Sequence, residues 1–236
     1  CRNHSEVMLK AFGANIICNK DKIKCDGKNE LYNPFNSPIT IPADFSSAAF
    51  FIVLGLISNI KELHIKHVGL NPTRNRLIDI LKSMGGNIEI VNQHHTIEPY
   101  GDIIVKPSQL KNISVESKDI PFMIDEIPIL AVAGMFASGD LIISDAEELR
   151  VKESDRIHSV VQLVKAFGGI IAETQDGFTL TGGFKPKKPT INTFYDHRIA
   201  MSFLCLGLIT DNPIIVEDTD TINSSFPTFL QTMNKI

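Results

Sequence analysis

Three long apolar segments constrain the fold of this chain more than any other feature of its sequence. Residues 48–57, 127–137 and 199–209 have helical spacing and are apolar on nearly every side, and such helices must be enclosed by the rest of the protein. Each is much shorter than the roughly 20 residues that cross a bilayer, so we expect buried core helices. Each begins near an acidic residue available for N-capping, namely Asp44, Asp125 and Asp196.

A repeated motif organises the chain into modules. Segments 8–16 (MLKAFGANI), 80–88 (ILKSMGGNI) and 164–170 (VKAFGGI) each predict the end of an amphipathic helix. A lysine in the last turn complements the helix dipole, and a glycine supplies the left-handed C-cap before a strand. Strands are predicted at 63–68, 87–91, 103–106, 141–144, 170–173, 178–181 and 214–217.

The fold class predicted is therefore α/β. Repeated βαβαββ modules pack with buried parallel helices inside and sheets outside, and each module also carries one exposed helix, such as 74–84 or 153–167. Residues 1–40 are expected to be the tail end of a preceding domain and a crossover containing the connector 33–38, and residues 41–236 a three-module domain. Because the chain lacks an initiator Met and starts inside a helical pattern, we expect it to be a piece of a longer protein.

Composition excludes several functions. The 236 residues carry a formal charge of -4, contain no Trp and show no block of Lys and Arg, so we expect no nucleic-acid partner. The four cysteines have no spacing typical of a zinc site, which favours a reducing cytoplasm. The histidine pairs 64/67 and 94/95 lie in strand-like or turn-like stretches and are interpreted as surface residues rather than metal ligands.

The run 150–156 (RVKESDR) indicates an anion site, because five of its seven side chains are charged. On a helix, Lys152 and Arg156 are i, i+4 neighbours that share one face, where phosphate or carboxylate would bind. The alternative is an exposed helix whose charges, including Glu153 and Asp155, only form surface ion pairs.

Two acidic helix starts add to this basic run. Asp125 stands at the mouth of a buried helix, where the dipole keeps it ionised, although a simple N-cap would look the same. Asp196, His197 and Arg198 open another apolar helix, and three adjacent ionisable groups there favour a ligand-facing end. Glycine-rich phosphate loops are missing from the sequence. Anion binding would therefore depend on side chains and helix N-termini.

These motifs together resemble the 5-enolpyruvylshikimate-3-phosphate (EPSP) synthase family. The resemblance runs from Arg2 to about residue 229 and is carried by 44–48 (DFSSA), 125–128 (DEIP), 150–156, 196–201 (DHRIAM) and 225–227 (SFP). It implies two domains of three βαβαββ modules each, the inside-out α/β barrel of enolpyruvyl transferases, with the active site in the cleft between them. It also implies a cytoplasmic enzyme, monomeric when full length, that needs no cofactor and no metal.

The activity implied is transfer of the enolpyruvyl group of phosphoenolpyruvate to the 5-hydroxyl of shikimate 3-phosphate, with release of phosphate. By the resemblance, Asp125 holds the shikimate hydroxyls and accepts a proton, and Glu153 donates one to the methylene carbon. Lys152 contacts the same hydroxyl region. The remaining substrate-binding residues implied are Arg156 and Arg198 for phosphoenolpyruvate and Arg2 for the 3-phosphate.

The sequence departs from the family pattern in places. Glu148 stands where some members have Asn, and Ser224 where some have a phosphate-contacting Lys, so neither is assigned a role. The N-terminal Lys-Ser-x-x-x-Arg segment and Asn-Gly phosphate loop of the family do not occur in this sequence. We therefore expect one wall of the cleft and no turnover by this chain alone. Two alternatives stay open: a UDP-N-acetylglucosamine enolpyruvyl transferase, and a catalytically incompetent anion-binding half.

Overall fold

The computed structural model describes residues 2–19, 22–27, 30–34, 38–187, 190–210 and 214–236. The first part of the chain forms helix α1 (His4–Ala11) and an antiparallel hairpin of β1 (Asn15–Asn19) and β2 (Lys22–Asp26). No residue of α1 is buried, and the hairpin is almost entirely exposed. Residues 30–34 and 38–42 have no helix or strand, whereas residues 35–37 of the predicted connector lie outside the described residues.

The first complete module follows this segment. It contains α2 (Phe45–Ile57), β3 (Leu63–Gly69), α3 (Arg76–Ser83), β4 (Asn87–His94) and β5 (Tyr100–Lys106). The sheet order is β3-β5-β4, with β5 antiparallel to both neighbours. A single parallel bridge between Ala43 and Val68 represents the first strand of the module. The order is thus βαβαββ.

The second module repeats this topology with α4 (Ile127–Phe136), β6 (Asp140–Ile143), α5 (Arg156–Ala166), β7 (Ile170–Glu173) and β8 (Phe178–Thr181). Its sheet order is β6-β8-β7, again antiparallel throughout. A parallel bridge between Ser114 and Ile142 takes the place of the first strand.

The third module is smaller in the described residues. Strands β9 (Thr190–Ile191) and β10 (Ile215–Val216) pair in parallel on either side of α6 (His197–Ile209), and α7 (Phe229–Met233) follows. Phe229 packs its ring against Phe50 and Phe51 of α2, with centroids 5.6 and 5.7 Å apart. Aromatic packing on α2 thus joins the chain end to the first module.

Helices α2, α4 and α6 form the core, as their apolarity predicted. Each helix contributes a side chain that is 0% exposed, namely Ile52, Leu130 and Phe203. Leu208 in the last turn of α6 is 47% exposed, so the enclosure of this helix is incomplete at its C-terminal end. None of the helices in the described ranges is long and apolar enough to span a membrane.

The helix ends agree with the repeated motif, with one correction. Gly13, Gly85 and Gly168 have φ of 89°, 97° and 88°, the left-handed conformation predicted for the C-caps. The helix predicted at 153–167 begins only at Arg156, because Asp155 is the N-cap and accepts the amide of His158 at 3.0 Å. The prediction that Lys152 and Arg156 share one helical face is therefore wrong.

Candidate active site at the N-terminal ends of the buried helices

The N-terminal ends of α2, α4 and α6 meet at one place. Ser46 in the first turn of α2 donates its hydroxyl to Glu126, the N-cap residue of α4. Arg198 in the first turn of α6 reaches the same carboxylate, with Nη1 3.4 Å from Oε1. Because these three helix starts lie together, the positive ends of their dipoles add, which favours bound anions.

Asp125 lies at the centre of a group of cationic side chains. Its carboxylate forms ion pairs with Arg2, with Arg156 Nη1 at 3.0 Å and with Lys152 Nζ at 3.8 Å. Arg198 Nη1 donates to its backbone carbonyl at 3.3 Å. The structure thus brings together five residues from four separate parts of the sequence, namely Arg2, Asp125, Lys152, Arg156 and Arg198.

Asp125 is strongly acidic in this setting. Burial alone would raise the pKa of its carboxyl, but the charges of Arg198, Arg2 and Lys152 outweigh burial and lower that pKa to about 2. The carboxylate caps neither the 3-10 turn Ile124–Glu126 nor α4. The interpretation of Asp125 as a helix cap is therefore wrong.

Arg156 is held by three carboxylates. Its Nε donates to Asp196 Oδ2 at 2.8 Å, its Nη1 to Asp125, and its Nη2 to Glu153 Oε2 at 2.6 Å. Arg156 and Asp196 are 1% and 0% exposed in their side chains, whereas Glu153 is 48% exposed. Burial opposes the charge on Asp196, but the hydrogen bond and charge of Arg156 lower the pKa of that carboxyl.

Lys152 reaches the site from an irregular segment. It follows the 3-10 turn Glu147–Val151, and its Nζ bonds Glu148 as well as approaching Asp125. Arg150 has a different role, because it donates to Glu173, Asp155 and two backbone carbonyls near the end of β7. The run 150–156 therefore contains both of the predicted alternatives: structural ion pairs at Arg150 and a cation cluster at Lys152 and Arg156.

Sequence reasoning missed a second layer behind this cluster. Glu126 is 2% exposed and contacts Ser46 and Arg198, and Arg74 donates to Ser46. Asp196 was expected as a cap, and it does accept the amides of Arg198 and Ile199, but it also fixes Arg156. The signal available for Glu126 was a second carboxylate beside Asp125 at the start of an apolar helix.

The βαβαββ modules and the cluster of cationic side chains at the shared helix ends define an α/β protein of repeated modules with a charged site where its buried helices begin. The sequence model of EPSP synthase (3-phosphoshikimate 1-carboxyvinyltransferase) matches residues 1–233. The chain belongs to the EPSP synthase family, and the resemblance drawn from its motifs is confirmed.

Relatives and solved structures agree with this assignment. The 3-phosphoshikimate 1-carboxyvinyltransferases of Petrotoga mobilis and Carboxydothermus hydrogenoformans are each 44% identical over the whole chain and 54% of their own length. The EPSP synthase of Acinetobacter baumannii superimposes with a TM-score of 0.93 at 38% identity, covering all of this chain and 54% of that one. The chain thus spans about half the length of the relatives that it matches.

A more distant structure shows the breadth of the fold. The enolpyruvyl transferase NikO from Streptomyces tendae has a TM-score of 0.73 at 16% identity and covers 98% of this chain and 51% of its own. At this identity the likeness concerns the fold alone. The α/β fold class predicted from the sequence is confirmed.

Proposed function

We propose that this chain provides one wall of an active site that transfers the enolpyruvyl group of phosphoenolpyruvate to the 5-hydroxyl of shikimate 3-phosphate and releases phosphate. The observation that carries the proposal is the group of four cations around Asp125, at the N-terminal ends of three buried helices. Both substrates are multiply charged anions, and such a preorganised cationic surface stabilises them without a metal.

Arg156 and Arg198 are proposed to bind phosphoenolpyruvate. Asp196 fixes the Nε side of Arg156, so its Nη atoms are presented towards Asp125 and Glu153. A carboxylate or phosphate of the substrate can take the place of Glu153, whose side chain is half-exposed. The guanidinium geometry suits such a bidentate exchange better than an ammonium does.

Asp125 is proposed as the proton acceptor for the attacking hydroxyl. With a pKa of about 2 it is a weak base while the surrounding cations are uncompensated. Bound phosphate and carboxylate groups compensate the charges of Arg198, Arg2 and Lys152, and this raises the pKa of Asp125 towards a value that suits proton transfer. Substrate binding and base strength are thereby coupled.

The reaction is an addition followed by an elimination. The hydroxyl oxygen bonds to the central carbon of phosphoenolpyruvate, its proton passes to Asp125, and Glu153 gives a proton to the methylene carbon. In the elimination, the leaving phosphate takes the proton held by Asp125 and a methyl proton returns to Glu153, which restores the double bond and both carboxyl groups. Lys152 lies 3.8 Å from Asp125 and is proposed to bind the same hydroxyl region, and Arg2 the 3-phosphate.

We further propose a cytoplasmic location and a monomeric full-length protein. Among the described cysteines, Cys18, Cys25 and Cys205 are free thiols, which fits a reducing compartment. The division at residue 41 is likewise proposed to separate the end of one domain from a second, three-module domain.

The function is tested with a chimeric protein. The chain is joined in one polypeptide to the part of the Petrotoga mobilis relative that it does not match, and phosphate release from phosphoenolpyruvate is assayed with each acceptor. We expect release with shikimate 3-phosphate and none with UDP-N-acetylglucosamine. Release only with the nucleotide sugar would favour the alternative transferase. Binding of both anions without release with either acceptor would favour the incompetent anion-binding half.

A further inference from the structure

Glu126 is a buried ionisable residue that the proposed reaction does not use. It follows Asp125 directly, yet only 2% of the residue is exposed, whereas the Asp125 side chain is 12% exposed. A carboxylate in such a position is costly unless it is paired and hydrogen-bonded. Its partners therefore indicate what it does.

The contacts of Glu126 form a chain between two helix starts. Arg74 Nη2 donates to the Ser46 hydroxyl and lies 3.4 Å from Asp44 Oδ1. Because a guanidinium can only donate, the hydroxyl accepts there and directs its own hydrogen to Glu126 Oε1. The same Oε1 lies 3.4 Å from Arg198 Nη1. Glu126 thus receives one contact from the α2 side and one from α6.

Arg198 needs such support because its side chain is long and partly exposed. Its side chain is 16% exposed, and its Nη1 contacts Glu126 and the backbone carbonyl of Asp125. A flexible arginine loses rotamer entropy on binding an anion, and this cost falls when the side chain is ordered beforehand. An unexposed carboxylate fixed by Ser46 is a suitable anchor for that purpose.

We propose that Glu126 is the positioning residue for Arg198, and that Ser46 and Arg74 hold Glu126 in place for it. The identity of the anion that Arg198 binds rests on the proposed function, but the positioning itself does not. Burial raises the pKa of Glu126, and the Arg198 charge and the Ser46 hydrogen bond oppose that rise.

The test uses the 236-residue chain with labelled arginine side chains. Guanidinium NMR signals of Arg198, assigned from their loss in Arg198→Ala, report how freely that group rotates. Glu126→Gln keeps the shape of the side chain and removes its charge. Glu116→Gln is the matched control, because Glu116 pairs with Lys118 on the exposed surface. Ser46→Ala is a milder second variant, in case Glu126→Gln fails to fold.

We expect the Arg198 guanidinium to rotate faster in Glu126→Gln, and to a smaller degree in Ser46→Ala, while Glu116→Gln leaves it unchanged. Arg198 signals that are the same in wild type and in whichever of the two variants folds would overturn the proposal, whatever the effect on stability.

A thermodynamic cycle provides the second readout. Phosphoenolpyruvate affinity, measured by calorimetry, should fall roughly 10-fold in Glu126→Gln, a coupling of about 1.4 kcal/mol, and should not fall further when the change is added to Arg198→Ala. Equal losses in both backgrounds would mean that Glu126 acts without Arg198 and would overturn the proposal. If wild type does not bind phosphoenolpyruvate, the proposed function fails, whereas the NMR comparison still decides the positioning role.

Discussion

Arg156 and Asp196 form an ion pair that is shielded from solvent on both sides, with Nε 2.8 Å from Oδ2 and side-chain exposures of 1% and 0%. Asp196 also caps α6 by accepting the amides of Arg198 and Ile199. One carboxylate thus orients an arginine on α5 and starts the helix that carries another. The two phosphoenolpyruvate-binding arginines proposed above depend on the same aspartate.

Replacing Arg156 should destabilise the fold strongly. Arg156→Ala leaves Asp196 and Asp125 without their buried partner, and the expected loss in the free energy of unfolding is about 3–5 kcal/mol. Urea denaturation measures it, and Lys118→Ala serves as the control because the Lys118–Glu116 pair is exposed and should contribute little. A loss for Arg156→Ala as small as that of the control would show that the buried pair does not stabilise the fold.

Asp125 should make stability depend on pH in the acid range. Its folded pKa is about 2 against an ordinary 3.8, so it stabilises the fold above pH 3.8 and loses that effect as the pH falls towards 2. Asp125→Asn should be less stable at pH 7 by about 1 kcal/mol, allowing for solvent screening, and this difference should vanish near pH 2. Chemical denaturation of wild type and Asp125→Asn between pH 2 and pH 7 measures this stability difference. If the difference did not change with pH, the low pKa assigned to Asp125 would be wrong.

Replacing Gly85 and Gly207 with alanine should change the stability of the fold in opposite directions. Gly85 has φ of 97°, which alanine adopts poorly, and an added Cβ would lie 3.3 Å from the carbonyl of Gln109. Gly85→Ala should lower stability by roughly 1–2 kcal/mol. Gly207 lies within α6, and an added Cβ there would meet nothing within 4 Å, so Gly207→Ala should raise stability by roughly 0.5–1 kcal/mol. Thermal unfolding measures both changes, and a Gly85→Ala protein as stable as wild type would refute this assignment of the C-cap.

Substitution of Asp125 should mainly lower turnover, whereas substitution of Arg198 should mainly lower the affinity for phosphoenolpyruvate. In the chimera, Asp125→Ala should lower turnover by at least about 100-fold with little change in phosphoenolpyruvate affinity, because a positioned base is lost. Arg198→Ala should act mainly on affinity. Steady-state kinetics with each substrate varied measure both. Near-normal turnover in Asp125→Ala would remove that residue from the chemistry.

Much of the fold was predictable because it depends on local patterns. The enclosure of α2 and α4 follows from apolarity on every side, and the C-caps at Gly13, Gly85 and Gly168 follow from the conformations that only glycine adopts easily. The third module was harder, because β9 and β10 have two residues each and leave almost no periodic signal.

The convergence of Arg2, Asp125, Lys152, Arg156 and Arg198 was predictable, but its geometry was not. The sequence predicts that Lys152 and Arg156 share one helical face, yet Asp155 starts the helix at Arg156, and Lys152 reaches Asp125 from an irregular segment. The positions of Glu126 and Arg74 depend on tertiary contacts between separate modules. Sequence spacing within one element carries no information on such contacts, so the contacts of Glu126 and Arg74 could not be predicted even though the carboxylate of Glu126 is visible beside Asp125.

Calorimetric titration of phosphoenolpyruvate into the 236-residue chain, compared with Arg198→Ala and with the surface control Lys118→Ala, tests the central claim most directly. The claim is that the cations at the N-terminal ends of α2, α4 and α6 bind the anionic substrate. We expect measurable binding by wild type, the same affinity in Lys118→Ala, and a loss of about 10-fold to 100-fold in Arg198→Ala, because a charge-assisted contact worth about 1.5–3 kcal/mol is removed. Equal affinity in all three proteins, or no binding by wild type, would contradict the claim.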